Sequence, residues 1–595
     1  MSVSSPDTFK TKGWRIAQWQ HAYRVAGERP EVLLSELLIN LSDNDPAWIS
    51  VATLEQVRQQ LRELQQRLEA AGGDKARLPL YGVPFAAKDN IDAQSWLTTA
   101  ACPAFAYHAS HDAFVIERLK AAGAILVGKT NLDQFATGLA GTRSPYGAVP
   151  NTFNPAYISG GSSSGSASVV ARGLVPFALG TDTAGSGRVP AAFNNIVGLK
   201  PTKGWVSNRG LVPACRTLDC ITAFALTVGD AALAVDVFAG YDEHDPYARP
   251  FPQEAPGRLP THPVFAVPQK PDFKGDTVAA EQYATCLAQL ESMGASLVAI
   301  DFSPFAELAQ LLYAGPWVAE RHVAIHDMLD NHADAVHPVV RGIIEQAAGW
   351  SAADAFKAEY LRAELTRQIQ KELAGVDALV IPTTPSIYTL EQVLNDPVTL
   401  NSALGTYTNF TNLADLCALA LPGGLRSDGL PAGITLIAPA WHDKALAEFG
   451  VRWQAAQPVL PGAPEIHDEI LVAVVGAHLR GMPLNHQLTH RGARFVQETT
   501  TSTDYRFYAL SGTSPLKPGL AYCPGEGAAI ALELWALHPH AFGEFTAEVP
   551  APLGIGNVVL SDGRTVKGFI CEPYALQQAQ DITAHGGWRN YLKSR

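Results

Sequence analysis

The stretch richest in potential chemistry is Ser159-Gly-Gly-Ser-Ser-Ser-Gly-Ser-Ala-Ser168, followed by Gly180-Thr-Asp-Thr-Ala-Gly-Ser-Gly-Arg-Val-Pro190. Small-residue runs of this kind commonly make flexible tethers. Here the apolar residues Val169, Val170, Val175 and Phe177 to Leu179 should bury the chain between the two runs, and a loop anchored at both ends is not a tether. A serine in either run could act as a nucleophile if a base took its proton. A candidate base lies upstream, where Leu80-Tyr-Gly-Val-Pro-Phe-Ala-Ala-Lys-Asp-Asn-Ile91 puts Lys88 at the end of an apolar, strand-like run. Burial disfavours the ammonium form, so a lysine so placed can lose several pKa units and be neutral near pH 7. The plainer reading of Lys88 is a salt bridge with its neighbour Asp89.

Two other patterns compete. Gly161-Ser-Ser-Ser-Gly165 satisfies GxSxG with Ser163 in the middle, the form of a nucleophile elbow whose serine needs a histidine base. No histidine occurs between His111 and His244, and small residues match this pattern readily by chance. Gly123-Ala-Ile-Leu-Val-Gly-Lys-Thr130 satisfies the Walker A pattern letter for letter, with Lys129 as its lysine. A phosphate loop needs open backbone at its four middle positions, whereas Ala-Ile-Leu-Val is the composition of a buried strand.

The elements that would position these residues follow from periodicity. Residues 55–73 carry Val57, Leu61, Leu64, Leu68 and Ala71 at helical spacing, with Gly72-Gly73 as a stop. From Leu80 to about residue 455, short β-rich runs such as Ala124-Ile-Leu-Val alternate with helical segments such as Asp112 to Ala122, which predicts α/β layers. Gln457-Pro-Val-Leu-Pro-Gly-Ala-Pro464 reads as a stiff linker. Beyond it, strand-like runs at Leu471 to Val475, Phe507 to Leu510 and Val558 to Leu560, with a helical stretch near Gly527 to Leu534, predict an α+β module. The expected organisation is an N-terminal helical segment at 1–75 able to supply a dimer surface, a core at 76–455, a Pro-rich linker at 456–469 and a second domain at 470–595.

A length of 595 residues exceeds what one hydrophobic core serves. The net charge of −13 gives no basic field for nucleic acid or an anionic membrane, so a small-molecule substrate is the expected partner. Seven scattered cysteines without CxxC spacing predict neither disulfides nor a structural metal. The first residues hold no apolar stretch like a signal peptide, and no run of 18 apolar residues occurs, which predicts a cytoplasmic protein.

Taken together, Gly82-Val-Pro-Phe-Ala-Ala-Lys-Asp-Asn, Gly-Gly-Ser-Ser and Gly-Thr-Asp-Thr-Ala-Gly-Ser closely resemble the amidase signature family over about residues 75 to 455. The resemblance implies an α/β fold with a mixed central sheet covered by helices, and a Ser–Ser–Lys triad. It carries the base to Lys88, the proton relay to Ser162 and the nucleophile to Ser186, the two serines standing 24 residues apart as in the family. It also implies a cis Gly161–Ser162 peptide. The small residues Thr183, Ala184, Gly185 and Ser186 would let backbone N–H groups converge as an oxyanion hole. Asp182 and Arg188 would brace that loop.

Within the substrate-facing region, Leu312-Tyr-Ala-Gly-Pro-Trp-Val-Ala-Glu-Arg-His322 resembles the corresponding stretch of allophanate hydrolases, which implies Tyr313 and Arg321 as ligands of a substrate carboxylate. Eight residues of helix is about two turns, so both could project from one face. The competing reading pairs Arg321 with Glu320 or Asp327 on a surface helix. The segment Val475-Gly-Ala-His-Leu-Arg-Gly-Met-Pro-Leu-Asn-His-Gln-Leu488 resembles the opening of the allophanate hydrolase C-terminal domain, a fold like that of γ-glutamylcyclotransferases. The resemblance implies decarboxylation of the first product there, with His478 as first candidate and His486 as second. The implied enzyme is an amidohydrolase that removes ammonia from allophanate, in urea or triazine-type nitrogen breakdown, and works as a homodimer. No metal, nucleotide or other cofactor is implied. The alternatives are an amidase of another small amide and the glutaminase subunit of a tRNA amidotransferase.

Overall fold

Alternating apolar runs and helices build one 11-stranded sheet in this computed structural model, which describes residues 9–457, 470–491, 493–537 and 539–595. In chain order its strands are β1 (Trp48–Val51), β2 (Pro84–Lys88), β3 (Ile125–Thr130), β4 (Phe177–Asp182), β5 (Val197–Lys200), β6 (Cys220–Ala225), β7 (Val264–Pro268), β8 (Ser296–Ile300), β9 (Ala378–Pro382), β10 (Leu416–Leu425) and β11 (Pro431–Pro439). They lie in the order β1-β3-β2-β4-β6-β5-β10-β11-β9-β7-β8. β2 runs parallel to both β3 and β4, whereas β6, β5, β10 and β11 are joined by antiparallel pairings. The sheet is therefore mixed, as expected. Every residue of β2, β3 and β4 is buried, which is why those segments read as unbroken apolar runs instead of alternating ones.

The N-terminal segment holds α1 (Ile16–Arg24), α2 (Pro30–Ile39) and α3 (Leu54–Ala70), and it also contributes β1 at one edge of the sheet. Leu33, Leu34 and Leu37 of α2 and Val57 and Leu64 of α3 join the same core as the sheet residues. Thr53 caps α3 by accepting the Gln56 N–H, and Gly72 and Gly73 end the segment with φ of 72° and 79°, a conformation in which a side chain would be strained. The helix expected near Asp112 to Ala122 is α4 (Phe114–Ala121). Downstream come α5 (Ser164–Ala171), α6 (Val189–Phe193), α7 (Ser303–Ala314) and α8 (Val318–Ala324), which carry or flank the candidate residues.

The chain divides into two compact units, residues 1–464 and 465–595. Most of the expected linker, residues 458–469, lies outside the described residues. In the second unit, β12 (Ile470–Val474), β13 (Arg494–Thr500), β14 (Tyr505–Ala509), β15 (Ala531–Leu537), β16 (Leu553–Val559) and β17 (Thr565–Cys571) appear, five of them forming a sheet in the order β13-β15-β12-β17-β16. The helix expected near Gly527 to Leu534 is not there. That region leads into β15, which pairs antiparallel with β12 on one side and β13 on the other. Ala, Leu and Glu favour helix in isolation, but two flanking ladders override that preference.

Candidate active site

Because β2, β3 and β4 are parallel and in register, with Lys88 opposite Thr130 and Ala87 opposite Leu179, their carboxyl ends and following loops collect at one edge. Such an edge is where open α/β sheets place ligands. Lys88, the last residue of β2, is fully buried, and its Nζ lies 2.7 Å from Ser162 Oγ, 3.0 Å from Ser163 Oγ and 2.7 Å from Thr181 Oγ1. Ser162 Oγ is 2.9 Å from Ser186 Oγ, and the Gly161–Ser162 peptide is cis.

The protons around Lys88 can be assigned from these contacts. Ser163 Oγ donates to the Thr181 carbonyl at 3.1 Å, so towards the lysine it can only accept. A neutral amine has two N–H donors and one lone pair. Donating to Ser163 and Thr181 leaves that lone pair facing the Ser162 hydroxyl. Burial is the largest influence on Lys88 and lowers its pKa from 10.5 to about 7, against the opposing pull of Asp133, Asp219 and Asp182. The salt bridge weighed for Lys88 does not form. Asp89 instead meets Lys129 at 3.4 Å and accepts the Thr99 N–H at 2.8 Å. Lys129 is itself buried within β3, so the Walker-like run is a strand and not an open loop. Ser163, the centre of the elbow pattern, has a lysine beside it.

The loop carrying Ser186 is braced from within. The Asp182 carboxylate accepts from the Gly185 and Gly187 N–H groups at 3.0 Å each and from Arg188 Nε and Nη2 at 2.9 and 2.8 Å. Arg188 Nη1 then donates to the Thr408 carbonyl at 3.1 Å and Thr411 Oγ1 at 2.8 Å. The Gly185 amide is thus committed to the loop itself, which takes it out of the expected oxyanion set. Ala184 and Ser186 make no backbone N–H hydrogen bond among the described residues. Thr183 Oγ1 donates to Asp219, whose carboxyl burial raises to about 6.

Glycine at 161 is required by space, because a Cβ there would overlap Asp133 Oδ2 and stand 2.5 Å from the Gly141 nitrogen. Replacing Gly161 by alanine should displace the Asp133 loop or Ser162, costing roughly 1 to 3 kcal/mol as overpacking does. The expected result is a lower melting temperature by calorimetry together with loss of turnover; an unchanged melting temperature would count against this packing account.

Tyr313 and Arg321 do meet, though not from one helix. Gly315 and Pro316 break the segment, leaving Tyr313 on α7 and Arg321 on α8. Arg321 Nη2 donates to Tyr313 Oη at 3.2 Å and the guanidinium lies 5.0 Å from the ring centroid. Arg321 is 1% exposed, its Nη1 donates to Thr137 Oγ1 at 2.9 Å, and its Nε has no partner. The pairing weighed with Glu320 is not made, since Glu320 accepts from the Thr217 N–H and hydroxyl. Among the described residues Arg321 faces no carboxylate within ion-pair distance.

In the second unit His478 lines a cavity of about 260 Å³ together with Gly476, Gln487, Lys517, Phe545 and Phe569. Its Nε2 is 2.8 Å from Gln487 Oε1, its ring stacks on Phe569, and burial lowers its pKa. His486 is exposed and bonds the Pro483 carbonyl, outside the cavity lining. No group of three or more His, Cys, Asp or Glu among the described residues is placed to hold a metal ion.

Thr181, Asp133, Thr137, Arg143 and Asp219 do not stand out in the sequence. Thr181 lies inside the motif of the nucleophile and is the one that the motif itself could have flagged. The others carry no local signal, because they act through segments distant in the chain.

The amidase family model matches residues 38–447. The chain belongs to the amidase family. A second model, the allophanate hydrolase C-terminal domain, matches residues 470–593. Urea amidolyase of Saccharomyces cerevisiae is 44% identical over the whole chain, which spans 34% of that protein. The chain thus covers about a third of the length of this curated relative. Among solved structures, Kluyveromyces lactis allophanate hydrolase is 44% identical with a TM-score of 0.73, covering 98% of this chain and 100% of that one. A solved chain of the Thermotoga maritima glutamyl-tRNA(Gln) amidotransferase is 27% identical with a TM-score of 0.63, covering 77% of this amidase and 97% of its own length.

Proposed function

We propose that this protein hydrolyses allophanate, the carboxylate of urea, with Ser186 as nucleophile, Ser162 as proton relay and Lys88 as base. As Ser186 attacks the terminal amide carbon, its proton passes to Ser162 and the Ser162 proton to Lys88. The N–H groups of Ala184 and Ser186, with that of Thr183 alongside, stabilise the oxyanion. Ser162 then protonates the departing ammonia, and water, deprotonated along the same path, cleaves the acyl-enzyme to leave a dicarboxylate. In the second unit His478 assists loss of carbon dioxide from that product.

The observation that carries this reading is the buried Arg321 guanidinium without a carboxylate partner, hydrogen-bonded to Tyr313. An unpaired buried charge is costly, and a substrate carboxylate gripped by the guanidinium fork offsets the cost. The match at residues 470–593 to a domain named for allophanate hydrolases supports the same substrate over glutamine. The test is ammonia release by the full chain from allophanate and from glutamine. Allophanate should be favoured in kcat/KM by about 100-fold or more, as expected where a buried polar group is left unpaired by the wrong substrate. Equal or faster release from glutamine rejects the proposal.

A second prediction concerns His478. His478→Ala should leave the first ammonia release intact while slowing carbon dioxide formation by about 100-fold, the lower range of proton-transfer contributions. Stopped-flow detection of carbon dioxide checks it, and an unaltered rate removes His478 from the pathway. A cytoplasmic location and a homodimer belong to the same proposal. The cysteines are all unpaired, and Val25 and Ile39 of the N-terminal region are exposed where copies could meet.

A further inference from the structure

The segment from Asp133 to Arg143 touches both halves of the candidate site. On the side of the serines, the Asp133 N–H donates to the Ser162 carbonyl at 3.1 Å and the Gly161 N–H to the Leu139 carbonyl at 2.7 Å. On the other side, Thr137 Oγ1 and the Ala136 carbonyl accept from Arg321 Nη1 at 2.9 and 3.4 Å. The distance between the guanidinium and the nucleophile is therefore set through one loop. That loop is strained, because Phe135 and Ala136 hold φ of 50° and 52°, a left-handed conformation unfavourable for residues with a side chain.

Arg143 is what closes the loop on itself. Its N–H donates to Asp133 Oδ1 at 2.9 Å, and its carbonyl accepts the Gln134 N–H at 2.8 Å. Its Nη1 donates to the Thr137 carbonyl at 2.9 Å and its Nη2 to the Pro397 carbonyl at 2.5 Å. Thr137 is consequently held by two guanidinium groups, Arg143 on its carbonyl and Arg321 on its hydroxyl. Arg143 is buried, keeps a partnerless Nε, and has no ion pair among the described residues. Tying two carbonyls together requires donors but no charge. A second buried cation near Arg321 makes physical sense where an anion enters.

We infer that Arg143 is a positioning residue for carboxylate recognition: through Thr137 it holds the Arg321 guanidinium at a set distance from Ser186, and its charge adds to the potential that a carboxylated substrate offsets. The inference rests on the reading of Arg321 as the carboxylate ligand. It assigns specificity to a residue that need not touch the substrate.

The test compares allophanate with biuret, in which an uncharged amide replaces the carboxylate, using the full chain, Arg143→Met, Arg143→Lys and Thr137→Val. In Arg143→Met the KM for allophanate should rise about ten-fold or more with kcat falling far less, a loss of ground-state binding, and inhibition by malonate should weaken by a similar factor. Arg143→Lys keeps the charge without the fork and should recover part of the malonate inhibition. Thr137→Val removes only the hydroxyl held by Arg321, so it should shift the preference in the same direction, and it serves if the Arg143 variants fail to fold. Equal losses on both substrates, accompanied by a lower melting temperature, would reduce Arg143 to a loop staple and overturn the inference. A preference for allophanate that survives in both Arg143→Met and Thr137→Val overturns it while leaving the Arg321 reading intact. A parent protein without that preference overturns both.

Discussion

Replacing Lys88 by methionine is expected to lower kcat/KM by about four orders of magnitude with little change in KM, as loss of the group that takes the nucleophile's proton does elsewhere. Methionine fills similar space, so the burial of β2 is kept while the lone pair facing Ser162 disappears. Arginine is no substitute, because guanidinium carries five donors, no acceptor, and stays charged. Since the working form of Lys88 is the neutral amine and burial lowers its pKa to about 7, kcat/KM in the parent protein should rise with pH through about 7 and level above it. The same group shapes stability. Between about 7 and its ordinary value of 10.5 an unfolded lysine holds a proton that the folded one has released, so its contribution makes stability increase with pH across that window. Below about 7 both states are protonated and the contribution is flat. Steady-state rates and thermal melts across this range check both statements. A variant retaining more than a tenth of the parent rate, or a rate profile flat through neutrality, would remove Lys88 as the base.

Arg321→Met carries the second large effect. Removing one partner of a desolvated, hydrogen-bonded charge pair costs roughly 2 to 5 kcal/mol, or about 30- to 5000-fold in affinity. The loss should fall on the KM for allophanate and on malonate inhibition, with kcat less affected. The ligand-free protein should not become less stable, because its guanidinium is buried without a carboxylate and an apolar side chain of similar length avoids that desolvation. The measurements are initial-rate kinetics and calorimetry with and without malonate. If KM stays within a few-fold of the parent, the carboxylate is bound elsewhere. Tyr313→Phe, which removes only the hydroxyl next to Nη2, should give a smaller change in the same direction.

The contrast between these two sites shows what can be read without coordinates. Lys88, Ser162 and Ser186 stand in short contiguous motifs, each with its own local reason to be where it is: the end of an apolar strand, a turn before a helix, a glycine-rich loop after a strand. The identities of Tyr313 and Arg321 are also legible. Their spacing is misleading, since Gly315 and Pro316 break the helix and two separate helices bring the side chains together. The stretch before β15 misleads for a related reason, as its helix-favouring residues are held extended by strands that no local window contains.

Composition and order along the chain determined the alternation of strands and helices, the division near residue 460, and the residue types available for proton transfer and carboxylate binding. Those features depend on local backbone preference and on which side chains avoid water. The tertiary structure alone decided that Lys88 meets Ser162 and Thr181 instead of Asp89, that the Gly185 amide is committed to Asp182, and that Thr137 stands between two arginines. Each of these is a choice among partners far apart in sequence. Such choices are settled by packing and burial, which favour one hydrogen-bonded arrangement and leave its rivals with unpaired buried charge.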